Sequence, residues 1–200
     1  RIIKDARQKI PAFKELIDKD PKLKYTFVFC SGGQLPEVKR HLNFRLPKPI
    51  SNSEITQEFP KTTRERIRIL QGLAEEKYQV VIGIKILDEG IDVPEANNCF
   101  VLESTGNPKQ FIQRRGRVLR KLRPNRYKDG TKKDYATIND FLVIPELSEN
   151  APEEEIEQHK KYVANQLIRQ YQMAKIAKNS DTCLAEIEVI RKKFHIEKED

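Results

Sequence analysis

The 200-residue sequence has only three cysteines, Cys30, Cys99 and Cys183, far apart and never paired as Cys-x-x-Cys. That count and spacing argue against a disulfide framework and favour a reducing, cytoplasmic setting. His41, His159 and His195 are just as scattered, so no metal-ligand spacing arises and no resident metal is expected. No apolar run approaches the roughly 20 residues that cross a bilayer, and no membrane partner is expected. There is no secretory leader, and the chain opens on Arg1 without an initiator Met, as expected of a piece of a longer protein. Two chemical signatures are missing as well: a Gly-x-x-x-x-Gly-Lys-Ser/Thr loop, and an Asp-Glu-x-Asp or Asp-Glu-x-His segment after a strand. Without them the chain has neither a phosphate cradle nor a seat for Mg²⁺.

What is present is positive charge in one place. Between Thr105 and Tyr135 there are 11 Lys or Arg against Asp129 and Asp134, a local +9 that exceeds the +8 of the whole chain. Concentrated charge of one sign suits a polyanion, with binding that weakens as salt rises. A solvated basic face is the plainer reading of a charge run, and only the residues inside it shift the balance.

Periodicity predicts alternating helices and strands. Ile3, Ile10, Phe13, Leu16 and Ile17 give a helix over 2–18, closed by Pro21. Tyr25–Cys30 reads as a buried strand ended by Ser31-Gly32-Gly33, and 42–53, with Pro47 and Pro49, as a loop. Glu54–Phe59 reads as a partly exposed strand, and a helix starts at Thr62 with Glu65 as its capping partner. Tyr78–Gly83, Asn98–Leu102 and Ala136–Ile144 are further strands, and Lys109–Leu122 is a helix bearing arginines. Such alternation predicts an α/β fold on a parallel sheet. After Pro145 the pattern becomes a helical hairpin with Val163, Leu167, Tyr171 and Ala174 on one face, so the expected division is 1–145 and 146–200. Packing within the chain is the plain reading of that stripe; docking onto a partner domain is the sharper one.

Two motifs carry chemistry. Leu87-Asp-Glu-Gly-Ile-Asp-Val-Pro94 follows a strand, where Gly90 allows a close turn and Asp92 offers a carboxylate to a ribose or a cation. Asp88 and Glu89 are adjacent on a turn and need not converge, so a structural role suits them. Gln113, Gly116, Arg117 and Arg120 fall on the arginine helix, and Gln113, Arg117 and Arg120 are spaced to share a face. Guanidinium forks match the charge that develops on phosphate oxygens. Both motifs are expected outside the carboxyl ends of the strands, where open α/β sheets bind ligands.

With Phe27-Val-Phe-Cys30, these motifs make residues 20–145 resemble the C-terminal RecA-like domain of superfamily 2 DEAD/DEAH-type helicases. The similarity is nearest to excision-repair helicases and restriction-enzyme translocases, whose last motif also reads Gln-x-x-Gly-Arg-x-x-Arg. The resemblance implies a RecA-like parallel sheet flanked by helices, with a C-terminal helical tail. It implies that Arg117 and Arg120 are arginine fingers on the γ-phosphate of ATP, with Gln113 beside them. Gly90, Asp92 and Gly116 would lie against the nucleotide, and Ser31, Gly32, Gly33 and Lys85 against a nucleic acid, DNA in preference to RNA. ATP with Mg²⁺ would be held mainly by an N-terminal RecA-like domain of the same parent protein. Many family members have Thr six residues before the motif glycine; Ile84 stands there, and the neighbouring Lys85 is the substitute contact. The chain alone is therefore expected not to hydrolyse ATP. A non-catalytic basic α/β module that grips DNA or RNA is the alternative, and a motor serving restriction or repair a third.

Overall fold

The computed structural model describes residues 8–20, 22–45, 47–84, 93–103, 116, 118–122, 127–146 and 151–197. The chain divides into two compact units, Arg1–Phe141 and Leu142–Asp200. The first is built on five described strands: β1 (Thr26–Phe29), β2 (Asn52–Ile55), β3 (Val80–Gly83), β4 (Asn98–Val101) and β5 (Thr137–Asp140). All pair in parallel, in the order β2-β3-β1-β4-β5. β1 is central and wholly buried, which is why Thr-Phe-Val-Phe reads as an unbroken run rather than an alternation.

Strand parity sorts the two faces. Val28, Cys30, Val80, Ile82, Phe100 and Leu102 join one core with Ile10, Phe13 and Ile17 of α1 (Lys9–Lys19) and Val38 and Leu42 of α2 (Leu35–Phe44). The Phe13 ring meets Phe100 edge-on at 5.3 Å. Each of these fully buried apolar side chains contributes roughly 1.5–3 kcal/mol. α3 (Thr63–Ala74) packs on β2 and β3 and buries Leu70 and Leu73. Its start is the capping box expected from the sequence: Thr62 Oγ1 accepts from the Glu65 N–H, and the Glu65 carboxylate accepts from the Thr62 N–H.

Three boundaries differ from the sequence reading. The 42–53 loop is shorter, because Leu42 completes the Leu35–Val38–Leu42 stripe of α2 and Asn52 already pairs with Val80. The strand expected over Glu54–Phe59 starts at Asn52 and stops at Ile55, where Thr56 Oγ1 accepts from the Glu58 and Phe59 amides and curls the chain back. The strand expected over Ala136–Ile144 ends at Asp140, since β4 offers no partner past Val101. Of the helix expected over 2–18, residues 1–7 lie outside the described set.

In the second unit, the backbone N–H and C=O of Val143 are both taken by the Gln166 side chain, at 3.0 and 2.9 Å. α4 (Glu153–Ala174) and α5 (Ser180–Lys193) form the expected hairpin. Its core is Val163, Leu167 and Phe194, flanked by Leu142, Tyr162, Ile187, Ile190 and Ile196. Three glutamates open α4 and three basic residues close α5, each complementing the helix dipole.

Candidate functional site

Three central strands release their chains side by side at the carboxyl edge of the sheet. β1 lies between β3 and β4, so the Ser31–Gly33 turn leaves between the segments that begin at Ile84 and Glu103. The ladder holds to that edge: Cys30 N–H donates to Gly83 O at 3.2 Å, and Phe29 O accepts from Leu102 and Glu103. Beyond it the turn is closed by bonds between Ser31 and Gln34. Ser31 N–H donates to Gln34 Oε1 at 3.0 Å and Ser31 Oγ accepts from Gln34 N–H at 3.3 Å, a reciprocal cap before α2. Gln34 is buried, and among the described residues its Nε2 finds no hydrogen-bond partner.

Gly32 and Gly33 are exposed. A Cβ on Gly32 would meet nothing within 4 Å, and one on Gly33 only Ser31 Oγ at 3.8 Å. Packing does not require glycine at either position; what glycine leaves is bare backbone open to close approach. Cys30, just before the turn, is no nucleophile. Burial, then the charges of Glu103 and Glu54, push its thiol up to about 12.

Leu122, two residues past the arginine motif, clusters with Tyr25 and Tyr127, and Tyr25 immediately precedes β1, so the chain has reached the amino edge just after the motif. The reason is topological. A crossover between parallel strands must return to the amino edge before the next strand begins, so the segment joining β4 to β5 ends there.

The helix expected over Lys109–Leu122 is also shorter. Gly116 and Val118 are helical, Leu119 and Arg120 are not; the expected shared face with Gln113 and Arg117 lies outside the described residues. Pro124 has no N–H to offer the Arg120 carbonyl four residues back. Lys133 takes that place: its ammonium donates to Val118 O at 2.5 Å, Pro94 O at 2.8 Å and Arg120 O at 3.0 Å. A cation over the last carbonyls of a helix is favourable on dipole grounds too. Burial pushes Lys133 down to about 8, against the smaller upward pull of Glu95 and Cys99. Sequence reasoning counted Lys133 only as part of the basic run, because three distant carbonyls leave no local signature.

Val118 is fully buried while Gly116 and Arg120 are exposed. Among the described residues nothing lies within 4 Å of the position a Gly116 Cβ would take. Gln113, Arg117, Gly90, Asp92 and Lys85 lie outside the described residues. Among the described residues no group of His, Cys, Asp or Glu could hold a metal ion, and no helix is long and apolar enough to cross a membrane.

The helicase conserved C-terminal domain profile matches residues 8–121, more than half of the chain. The chain belongs to this family. It is the C-terminal domain of a superfamily 2 helicase or translocase. It is 31% identical over 117 residues to the DNA 3'-5' translocase XPB2 of Sulfurisphaera tokodaii, covering 58% of this chain and 24% of that protein. Over 61 residues it is 46% identical to UvrABC system protein B of Metamycoplasma arthritidis, covering 28% of this chain and 9% of that protein. The chain thus spans a quarter or less of these relatives' length. The C-terminal domain of the DEAD-box protein Dbp5 shares the RecA-like fold: TM-score 0.56, 17% identity, 87% of this chain and 83% of that domain. The C-terminal part of the Fun30 ATPase domain does so at TM-score 0.51 and 19% identity, over 76% of this chain and 44% of that one.

Proposed function

We propose that this domain is the second motor half of an ATP-dependent helicase or translocase acting on nucleic acid, DNA in preference to RNA. An N-terminal RecA-like domain of the same parent protein supplies the phosphate cradle and the Mg²⁺ seat that this sequence lacks. The observation that carries the reading is the match of the helicase conserved C-terminal domain over residues 8–121. The exposed Gly32–Gly33 backbone at the carboxyl edge and the exposed Gly116 and Arg120 support it.

On this reading the turn's backbone amides, with Lys85, take phosphates of the nucleic-acid strand, and this supplies most of the affinity. Gly90 and Asp92 lie against the nucleotide sugar and the link between domains. When the interdomain cleft closes, Arg117 and Arg120 place their guanidinium groups where charge develops on the γ-phosphate, with Gln113 beside them. Gly116, without a side chain, lets that segment approach closely. Reopening after hydrolysis advances the pair of domains along the strand. The DNA preference is supported by the similarity to a DNA translocase. A cytoplasmic setting rests on cysteine usage alone, three cysteines far apart in the sequence and without Cys-x-x-Cys spacing.

The alternative, a basic module without an ATP role, draws on the +9 segment alone. One experiment separates them: ATP hydrolysis by the domain joined to its N-terminal partner, with single-stranded DNA, duplex DNA or RNA added in turn, for the native sequence and Arg117→Ala. Stimulation by one polymer, lost in the variant, is expected. No turnover under any condition overturns the motor reading in favour of the module.

A further inference from the structure

We infer that Lys133 is a positioning residue of the motor, a clip that fixes the backbone of the arginine motif onto the end of the motif that precedes β4. An ammonium has three N–H donors, and here all three are spent on backbone carbonyls. Those carbonyls come from three separated points of the chain, Pro94, Val118 and Arg120, respectively 39, 15 and 13 residues away. Pro94 closes the Leu87–Pro94 motif, and Arg120 is the last residue of the Gln113–Arg120 motif. One side chain therefore ties the ends of the two motifs together.

Both ends of the clip are anchored. Pro94 lies between Val93 and Ala96, both fully buried, and Ala96 N–H donates to Val93 O at 3.3 Å. On the other side, Lys133 follows a turn in which Tyr127 N–H donates to Thr131 O at 2.9 Å and Gly130 N–H to Tyr127 O at 2.9 Å. The Tyr127 ring stacks on Tyr25 at 3.8 Å, directly before β1, and Lys128 N–H donates to Ala74 O at the end of α3. Lys133 is itself 6% exposed, and its charge is solvated by the three carbonyls. A buried lysine used this way costs desolvation that a methionine would not. What the lysine supplies and an apolar side chain cannot is a fixed separation between three backbone points, one of them in the residue that presents Arg120.

The inference rests on the motor reading, and the experiment distinguishes the failure of each. In the full-length protein, nucleic-acid-stimulated ATP hydrolysis is measured for Lys133→Met, Lys133→Arg and Arg117→Ala, with amide hydrogen exchange on the same samples. Lys133→Met removes the donors at nearly constant volume. Lys133→Arg keeps the charge but offers a planar fork that does not suit three converging carbonyls. Both are expected to lower kcat on the order of tenfold to a hundredfold, as a misplaced catalytic group does, while KM for ATP and nucleic-acid affinity stay within about twofold. Exchange is expected to quicken at 119–122 and 95–97 while β1 keeps its protection. A full kcat in Lys133→Met, with Arg117→Ala inactive, overturns the clip and leaves the motor reading standing. Turnover retained by Arg117→Ala overturns the motor reading by itself. Loss of protection throughout the domain, β1 included, overturns a positioning role in favour of a purely structural one. Should Lys133→Met not fold, Lys133→Gln, which keeps two donors, carries the same comparison.

Discussion

The two edges of the parallel sheet are built on opposite principles. At the carboxyl edge, the turn after β1 has a single reciprocal cap between Ser31 and Gln34, then two exposed glycines whose missing side chains crowd nothing. At the amino edge, the chain before β1 is locked from several sides. Tyr25, at φ +49°, stacks on Tyr127 and donates its hydroxyl to Glu76 at 2.9 Å. Lys24 pairs with Glu76 at 3.0 Å and reaches Asp129 at 3.9 Å, and the Lys133 clip lies in the same region. On the proposed reading the contrast teaches where rigidity is needed. Phosphates of a mobile strand would be met by the open backbone, whereas guanidinium groups serving a transition state would have to be held to a fraction of an ångström.

The largest effect expected from breaking this division is at the arginine motif. Arg117→Ala in the complete motor should lower ATP turnover by on the order of a thousandfold, with nucleic-acid affinity changed only a few-fold. A steady-state ATPase assay and a binding titration on one preparation check it. A joint collapse of both would mean that the two edges do not divide the labour. Next in size is the carboxyl edge. Gly32→Val meets no steric obstacle in the fold but obstructs the open backbone, so binding should weaken roughly tenfold, as expected for the loss of a backbone phosphate contact worth ~1.4 kcal/mol, with Tm unchanged. Unchanged affinity at low salt would remove the turn from the binding surface.

How much of this was legible in the sequence follows physical lines. The central strand, the capping box of α3 and the hairpin of the second unit rest on local signals, and each appears where the pattern put it. α2 went unread because Leu35, Val38 and Leu42 are a sparse stripe ahead of two prolines. The Ser31–Gly33 turn lies where a glycine pair after an apolar run predicts it. The amino-edge position of Leu122, just after the arginine motif, is a matter of chain return across the sheet, which residue spacing does not encode. Lys133 was invisible for a related reason: its partners are carbonyls, and every residue type carries one. Patterns of side chains are legible in a sequence; backbone partners distant along the chain are not.

The bracing at the amino edge can be graded with tyrosine substitutions. Tyr25→Phe deletes the bond to Glu76, a partly exposed carboxylate that water can serve instead, and should cost about 1 kcal/mol. Tyr127→Phe is the contrast. Its ring is buried against Tyr25, yet among the described residues its hydroxyl has no hydrogen-bond partner. Removing an unsatisfied buried hydroxyl should leave stability unchanged or raise it by up to ~1 kcal/mol. Chemical denaturation of both variants decides. Equal losses would mean that the stack depends on hydroxyl contacts at both rings.

The smallest effect is expected in acid, and it sets the two edges against each other directly. At the amino edge, the Glu76 carboxyl is held below the usual range by hydrogen bonds from Lys24 and Tyr25. On the carboxyl side, Glu65 is held down by its bonds with Thr62 in the capping box. A carboxylate whose folded value is depressed contributes stability that is present above its unfolded value, near 4.3, and is lost as pH falls through the folded one. Both contributions therefore fade below about pH 4.3 and are intact at neutrality. Glu65 is exposed and Glu76 partly so, and each loss is slight and shrinks further with salt. The consequences differ in reach, because Glu76 joins Lys24 and Tyr25 across 52 and 51 residues while Glu65 closes only its own turn. Hydrogen exchange between pH 5 and 3.5, corrected for intrinsic rates, should show fraying confined to 63–66 on the carboxyl side. At the amino edge the same titration should loosen 25–26 and 127–131 together, and Glu76→Gln should abolish that second response without touching the first.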